Sequence, residues 1–91
     1  MIYTIEGRDN WNGAAFYFSN EHGHLFAESK DKAHTFASLE DARAVVRLLV
    51  KVSEMDPFLG YERVEIVERD PRSGAAKRTV EHADLHYYRA P

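Results

Sequence analysis

The chain has 91 residues, 44% hydrophobic and 12% aromatic, which is apolar material for one core but too little length for two. This composition argues against disorder and gives an expected stability of roughly 5 to 9 kcal/mol. A net charge of −3 argues against general nucleic-acid binding. The lack of cysteine excludes disulfide frameworks, thiolate zinc sites and cysteine nucleophiles, and it fits a reducing, cytoplasmic setting. The opening "MIYTIEGRDN" turns polar by Glu6, so no secretory leader is expected, and no apolar run nears the ~20 residues that a bilayer demands.

"MIYTIE" predicts a first strand that stops at Gly7, with Tyr3 and Ile5 on one face and Ile2 and Thr4 on the other. "GRDNWNG" then reads as a loop between Gly7 and Gly13. Asp9, Asn10 and Asn12 bend the backbone there, and Trp11 sits in the middle. "AAFYFS" and "HLFAES" flank "NEHG", where Asn20 and Gly23 tolerate positive φ, and so predict a hairpin. His22 and His24 at its tip read as solvated turn residues.

Within "HTFASLEDARAVVRLLVKVSE", Ser38 followed three residues later by Asp41 approximates a capping box and starts a helix. Leu39, Ala42, Val46, Leu49 and Ser53 recur at helical spacing, while Val45, Leu48, Val50 and Val52 widen the predicted apolar stripe. Pro57 ends the helix, and Phe58 and Tyr61 are expected to tie down the connection. "YERVEIVERD" alternates like a strand with one wet face. "DPRSG" turns the chain, and "AAKRTVEH" returns as the partner strand. The last segment, "ADLHYYRAP", fits a strand or a helical turn equally.

The expected architecture is thus a single α+β domain over residues 1–91. An antiparallel sheet in β-β-β-α-β-β order carries one amphipathic helix on one face, and the sheet is either continuous or split into three and two strands.

His82 and His86 share a side on either a helix or a strand, but two imidazoles fall short of the three or four ligands of a zinc site. Asp84, Glu81, His22 and His24 add no recognisable metal spacing. The serines lie in no nucleophile-elbow context and the glycines form no phosphate-cradling loop. No catalytic activity, cofactor or metal is therefore expected.

Arg43, Arg47 and Lys51 make a basic ridge at four-residue spacing on the helix, and Arg69, Arg72, Lys77 and Arg78 gather around the second hairpin turn. Together they offer an alternative nucleic-acid site, but the acidic total counts against it, and cross-strand salt pairing with glutamates nearby in sequence, such as Glu40, Glu65, Glu68 and Glu81, explains the mixed charges more simply. Trp11 in its polar loop, and one of Tyr87 and Tyr88, have no evident place in a core, and large rings with a polar handle dominate binding hot spots. Trp11 either anchors a partner or folds back over one end of the sheet.

The "FASLEDARAVV" segment, set between an N-terminal hairpin and a C-terminal strand pair, resembles the layout of small accessory proteins of phages and mobile elements, some of them anti-CRISPR or other anti-defence inhibitors. That resemblance implies a stoichiometric binder that occupies a functional surface of a larger, nucleic-acid-handling protein or ribonucleoprotein. The expected contact residues are Asp9, Trp11, Asn12 and Glu21, extended by Tyr87 and Tyr88. Acidic groups including Asp9, Glu21, Glu28 and Asp31 would steer the approach to a basic surface. A homodimer through an exposed sheet edge is compatible with this reading.

Overall fold

A computed structural model describes residues 1–21, 24–59 and 61–88. In chain order these form β1 (Ile2–Arg8), β2 (Ala15–Glu21), β3 (His24–Ala27), a 3₁₀ turn (Lys30–Lys32), α1 (Leu39–Met55), β4 (Phe58–Leu59), β5 (Arg63–Arg69), β6 (Ala76–Asp84) and β7 (Tyr87–Tyr88). The predicted α+β class is the observed one. Five strands make one continuous antiparallel sheet in the order β3-β2-β1-β5-β6, while β4 and β7 form a separate parallel pair.

The first strand lies at the centre because both of its faces can be covered. Ile5 is buried on the helix side and Thr4 on the other. β1 continues one residue past Gly7, to Arg8, because Gly7 and Arg8 still pair with Phe16 and Ala15. Near its start, where β2 has diverged, Tyr3 and Phe36 exchange backbone hydrogen bonds of 2.8 and 2.9 Å and so satisfy the free edge.

Ser38 caps α1, its Oγ accepting the Asp41 N–H at 3.2 Å. Ala42, Val46, Leu49 and Ser53 face the sheet and are buried, as the spacing predicts. They meet Ile5, Phe16, Phe18, Val64 and Ile66. The wider stripe holds in half: Val45 and Val50 pack partly buried against the core, while Leu48 and Val52 are exposed, because a helix lying on a flat sheet buries only the side it rests on. α1 stops at Met55, and the Asp56 N–H closes the last turn on Val52 O at 2.8 Å, just before Pro57. Phe58 and Tyr61 do tie the connection down, packing with Phe16 and Phe26 at centroid distances of 4.3 to 5.5 Å and with each other at 6.4 Å.

Ser53 joins the helix to the end of the chain. Fully buried, its Oγ donates to Val50 O at 2.6 Å and accepts the His86 N–H at 3.0 Å. The segment 85–88 is thereby extended rather than helical, with Leu85 in the core and β7 beside β4. Ser53→Ala is expected to cost about 1 kcal/mol by removing the acceptor of the His86 N–H. Hydrogen exchange at the His86 amide should rise more than at β5 amides, and equal protection in both proteins would exclude this clip.

The two longer hairpin connections are built alike, although they share few residues. In "DNWNGA" the Gly13 N–H donates to Asp9 O and the Asp9 N–H to Ala14 O, both at 2.8 Å. In "DPRSGA" the Gly74 N–H donates to Asp70 O at 2.8 Å and the Asp70 N–H to Ala75 O at 3.0 Å. Each glycine has positive φ, 72° and 74°. Each aspartate side chain accepts the N–H two residues on, from Trp11 and from Arg72, at 2.7 Å. Asn12 and Ser73 then accept the N–H groups of Ala14 and Ala75. The common spacing is Asp, three residues, Gly, Ala.

The hydrogen bonds from the Arg72 and Ser73 N–H groups hold the Asp70 carboxyl below its ordinary pKa. The stability it contributes is then full above that ordinary value and lost as pH falls through the depressed folded-state value. Asp70→Asn should flatten the acid limb of the stability profile measured by denaturant unfolding. An unaltered limb would contradict this role.

Candidate functional site

The β1–β2 turn brings together Asp9, Trp11 and Asn12, as the sequence predicts. It is held by the aspartate and asparagine bonds above and by Arg8 Nη1, which donates to Gly13 O at 3.2 Å. Beneath it, Asp9 forms a backbone bridge with Tyr61. Burial, and then the Asp9 and Glu28 carboxylates, push the Tyr61 phenol above its ordinary pKa, so it stays neutral and packs as part of the aromatic cluster. Trp11 does not fold back over the sheet: it is 54% exposed. In the matching turn the same position carries Arg72, so the turn geometry makes no demand for an indole.

Beside the turn lies a concavity of about 610 Å³ on the sheet face away from α1, lined by Glu6, Arg8, Ala15, Tyr17, Glu62, Arg63, Glu65 and Asp84 with the backbone of Gly7. The strand registers explain its composition. Tyr17, Glu6, Glu65 and His82 stand opposite one another on β2, β1, β5 and β6 and share one face. Like charges directly opposite repel, and Glu6 is neutralised from the far side: Arg69 Nη2 donates to its Oε1 and Oε2 at 3.2 and 2.9 Å. Arg69 Nε donates to Thr4 Oγ1 at 3.1 Å, and the Thr4 hydroxyl donates to Glu6 Oε2 at 2.8 Å. Glu65 and Glu62 have no ion pair among the described residues, and Asp84 pairs with the exposed Arg63 at 3.1 Å. With Glu6 and Asp84 paired, the concavity presents the Glu62 and Glu65 carboxylates at the strand ends that the Trp11 turn joins, alongside Arg8.

Sequence reasoning saw the wet face of β5 but missed that β1 and β6 extend it. Its signal is the polar residue at every second position of β1, Thr4, Glu6 and Arg8, matched by Arg63 and Glu65 on β5 and by His82 and Asp84 on β6.

Other predicted residues fall elsewhere. The backbone of Glu21 ends β2, a strand that begins at the Trp11 turn and runs about 20 Å away from it, so Glu21 does not belong to this patch. The side chains of Glu21, His24, Tyr87 and Tyr88 lie outside the described residues, as does His22. The Tyr87 and Tyr88 backbone is extended and pairs with Phe58 and Leu59, on the chain path leading to Tyr61.

The basic ridge is interrupted. Arg43 Nε donates to Glu81 at 2.9 Å and Arg43 Nη1 to Glu40, which together keep the guanidinium firmly protonated, while Arg47 and Lys51 are exposed and make no ion pair among the described residues. Arg69 is buried with Glu6 rather than free to meet phosphate, and Arg78 sits 3.6 Å from Glu68. His82 and His86 are both exposed. His82 projects from the open face, while His86 Nε2 lies 4.0 Å from Glu54 at the helix end. Among the described residues no three His, Asp or Glu side chains converge to hold a metal ion. No helix among them is long and apolar enough to cross a membrane.

No family model, no curated protein and no solved structure matches this chain.

Proposed function

We propose that this protein is a non-catalytic binding module that docks onto a basic surface of a larger protein, with Trp11 as the anchor and the adjacent acidic concavity as its rim. The observation that carries this reading is a solvent-facing indole on a turn held rigid by hydrogen bonds, at a position where the equivalent turn has an arginine. A pinned turn loses little entropy on binding, and a tryptophan supplies a large apolar contact. Glu62 and Glu65 would guide approach to a cationic partner and raise the association rate more than the affinity. Such a module acts by occupancy, in the manner of the stoichiometric inhibitors that the layout resembles.

Affinity capture from lysate of the encoding organism, with wild-type protein and Trp11→Ala as parallel baits, identifies the partner. Trp11→Ala should then weaken the purified complex by at least ~2 kcal/mol, about thirtyfold, with unchanged thermal unfolding. Equal affinity for both baits would remove the proposed anchor.

A further inference from the structure

The helix that covers the sheet is itself uncovered. Leu48, Val52 and Met55 are 61%, 42% and 88% exposed. At helical spacing they line up along one flank of α1, about 120° round the helix from the buried row of Ala42, Val46, Leu49 and Ser53. Single exposed apolar side chains are ordinary, but a row of three on one helix is a packing surface.

We infer that this face packs against the same face of a second copy, as an antiparallel helix pair whose twofold axis passes between Lys51 and Val52. In such a pair each residue meets the one equally far from the axis on the other copy. Leu48 and Met55 are equidistant from that point, so Leu48 of each copy meets Met55 of the other, and the two Val52 side chains meet beside the axis. The flanking charges obey the same symmetry. Arg47 and Glu54 lie on one flank of the row, and the axis brings Arg47 of one copy within about 3 Å, measured along the helix, of the second copy's Glu54. Lys51, next to the axis, lies equally close to that carboxylate.

Arg47 and Lys51 have no ion pair among the described residues, and among them only the His86 imidazole, at 4.0 Å, stands within ion-pair distance of Glu54. A purely acidic partner or an anionic bilayer would satisfy the two cations and repel Glu54; a second copy satisfies all three. The β6 edge of the sheet is a poorer dimer surface. β6 carries Lys77 and Arg78, and its pairing with β5 is broken by two register shifts, features that discourage strand addition.

One helix face is a small interface, under ~1,200 Å² in total, so dissociation in the range of about 10 to 100 µM is expected. The chain has no cysteine, so Val52→Cys introduces a single thiol beside the axis. Under mild oxidation it should cross-link copies far faster than Arg72→Cys, which places a thiol on the exposed β5–β6 turn. In sedimentation equilibrium the wild-type mass should rise with concentration from 10.5 kDa towards twice that value. Leu48→Glu should stay monomeric with unchanged melting. Arg47→Glu and Glu54→Arg should each weaken the dimer roughly tenfold, since each acts twice across the axis, and the double variant should regain it. A wild-type protein still monomeric at about 1 mM, a dimer indifferent to Leu48→Glu, or equal cross-linking of the two cysteine variants would each overturn the inference.

Discussion

Gly7→Ala is expected to destabilise the fold by about 3 kcal/mol and to lower the melting temperature by roughly 12 to 24 °C. A β-carbon at Gly7 would lie 2.4 Å from the carbonyl oxygen of Arg63 and 2.5 Å from Cζ of Phe16. Neither neighbour can retreat. The carbonyl belongs to the first residue of β5, and the Phe16 ring is buried against Tyr61 at 4.3 Å and Phe26 at 5.0 Å. The requirement is one of space, since Gly7 is not among the positive-φ residues. Gly13 provides the contrast: its φ is +72° and nothing lies within 4 Å of its would-be β-carbon, so alanine there should cost only about 1 kcal/mol of backbone strain. Denaturant unfolding of the two variants separates the causes, and comparable losses for both would show that the Gly7 contact relaxes freely.

Arg69→Ala is expected to cost about 3 kcal/mol, since removing one partner of a buried ion pair leaves the other uncompensated. Arg69 and Glu6 side chains are 8% and 20% exposed, so solvent screens this pair far less than the surface pair of Arg63 with Asp84. The guanidinium also donates to Thr4 Oγ1 and, at 2.7 Å, to Gly74 O, so its loss strips one strand face and one turn of donors together. Replacing the whole group by Thr4→Val, Glu6→Leu and Arg69→Met should return stability to within about 1 kcal/mol of wild type, because matched apolar side chains avoid the cost of burying charge. Equilibrium unfolding tests both. A triple variant no more stable than Arg69→Ala would mean that packing at this site, and not the unpaired carboxylate, sets the loss.

The helix was legible residue by residue. Ser38 as cap, Ala42, Val46, Leu49 and Ser53 as buried face, and the stop before Pro57 all follow from interactions within four residues, which local sequence contains in full. The exposure of Leu48 and Val52 was not, because how much of an apolar stripe is covered depends on the breadth of the surface beneath it. For Arg69 the salt pairing was legible but its partner and burial were not: beside Arg72 it looks like part of an exposed basic cluster, and only the pairing of β1 with β5 sets Glu6 and Thr4 against it.

The Trp11 turn lies between these cases. Asp9, Asn12 and Gly13 announce the bend through their own chemistry, whereas the outward placement of the indole required the position of the sheet end and of Tyr61. What the amino-acid order determined unaided was the α+β class, the capped helix with its core-facing side, and the turn chemistry, since these rest on periodicity and on bonds spanning a few residues. Tertiary structure alone decided the central place of β1, the row of Tyr17, Glu6, Glu65 and His82, and the burial of Arg69. Each depends on strand pairing between residues up to 67 positions apart, Ile2 with Arg69, which no local pattern encodes.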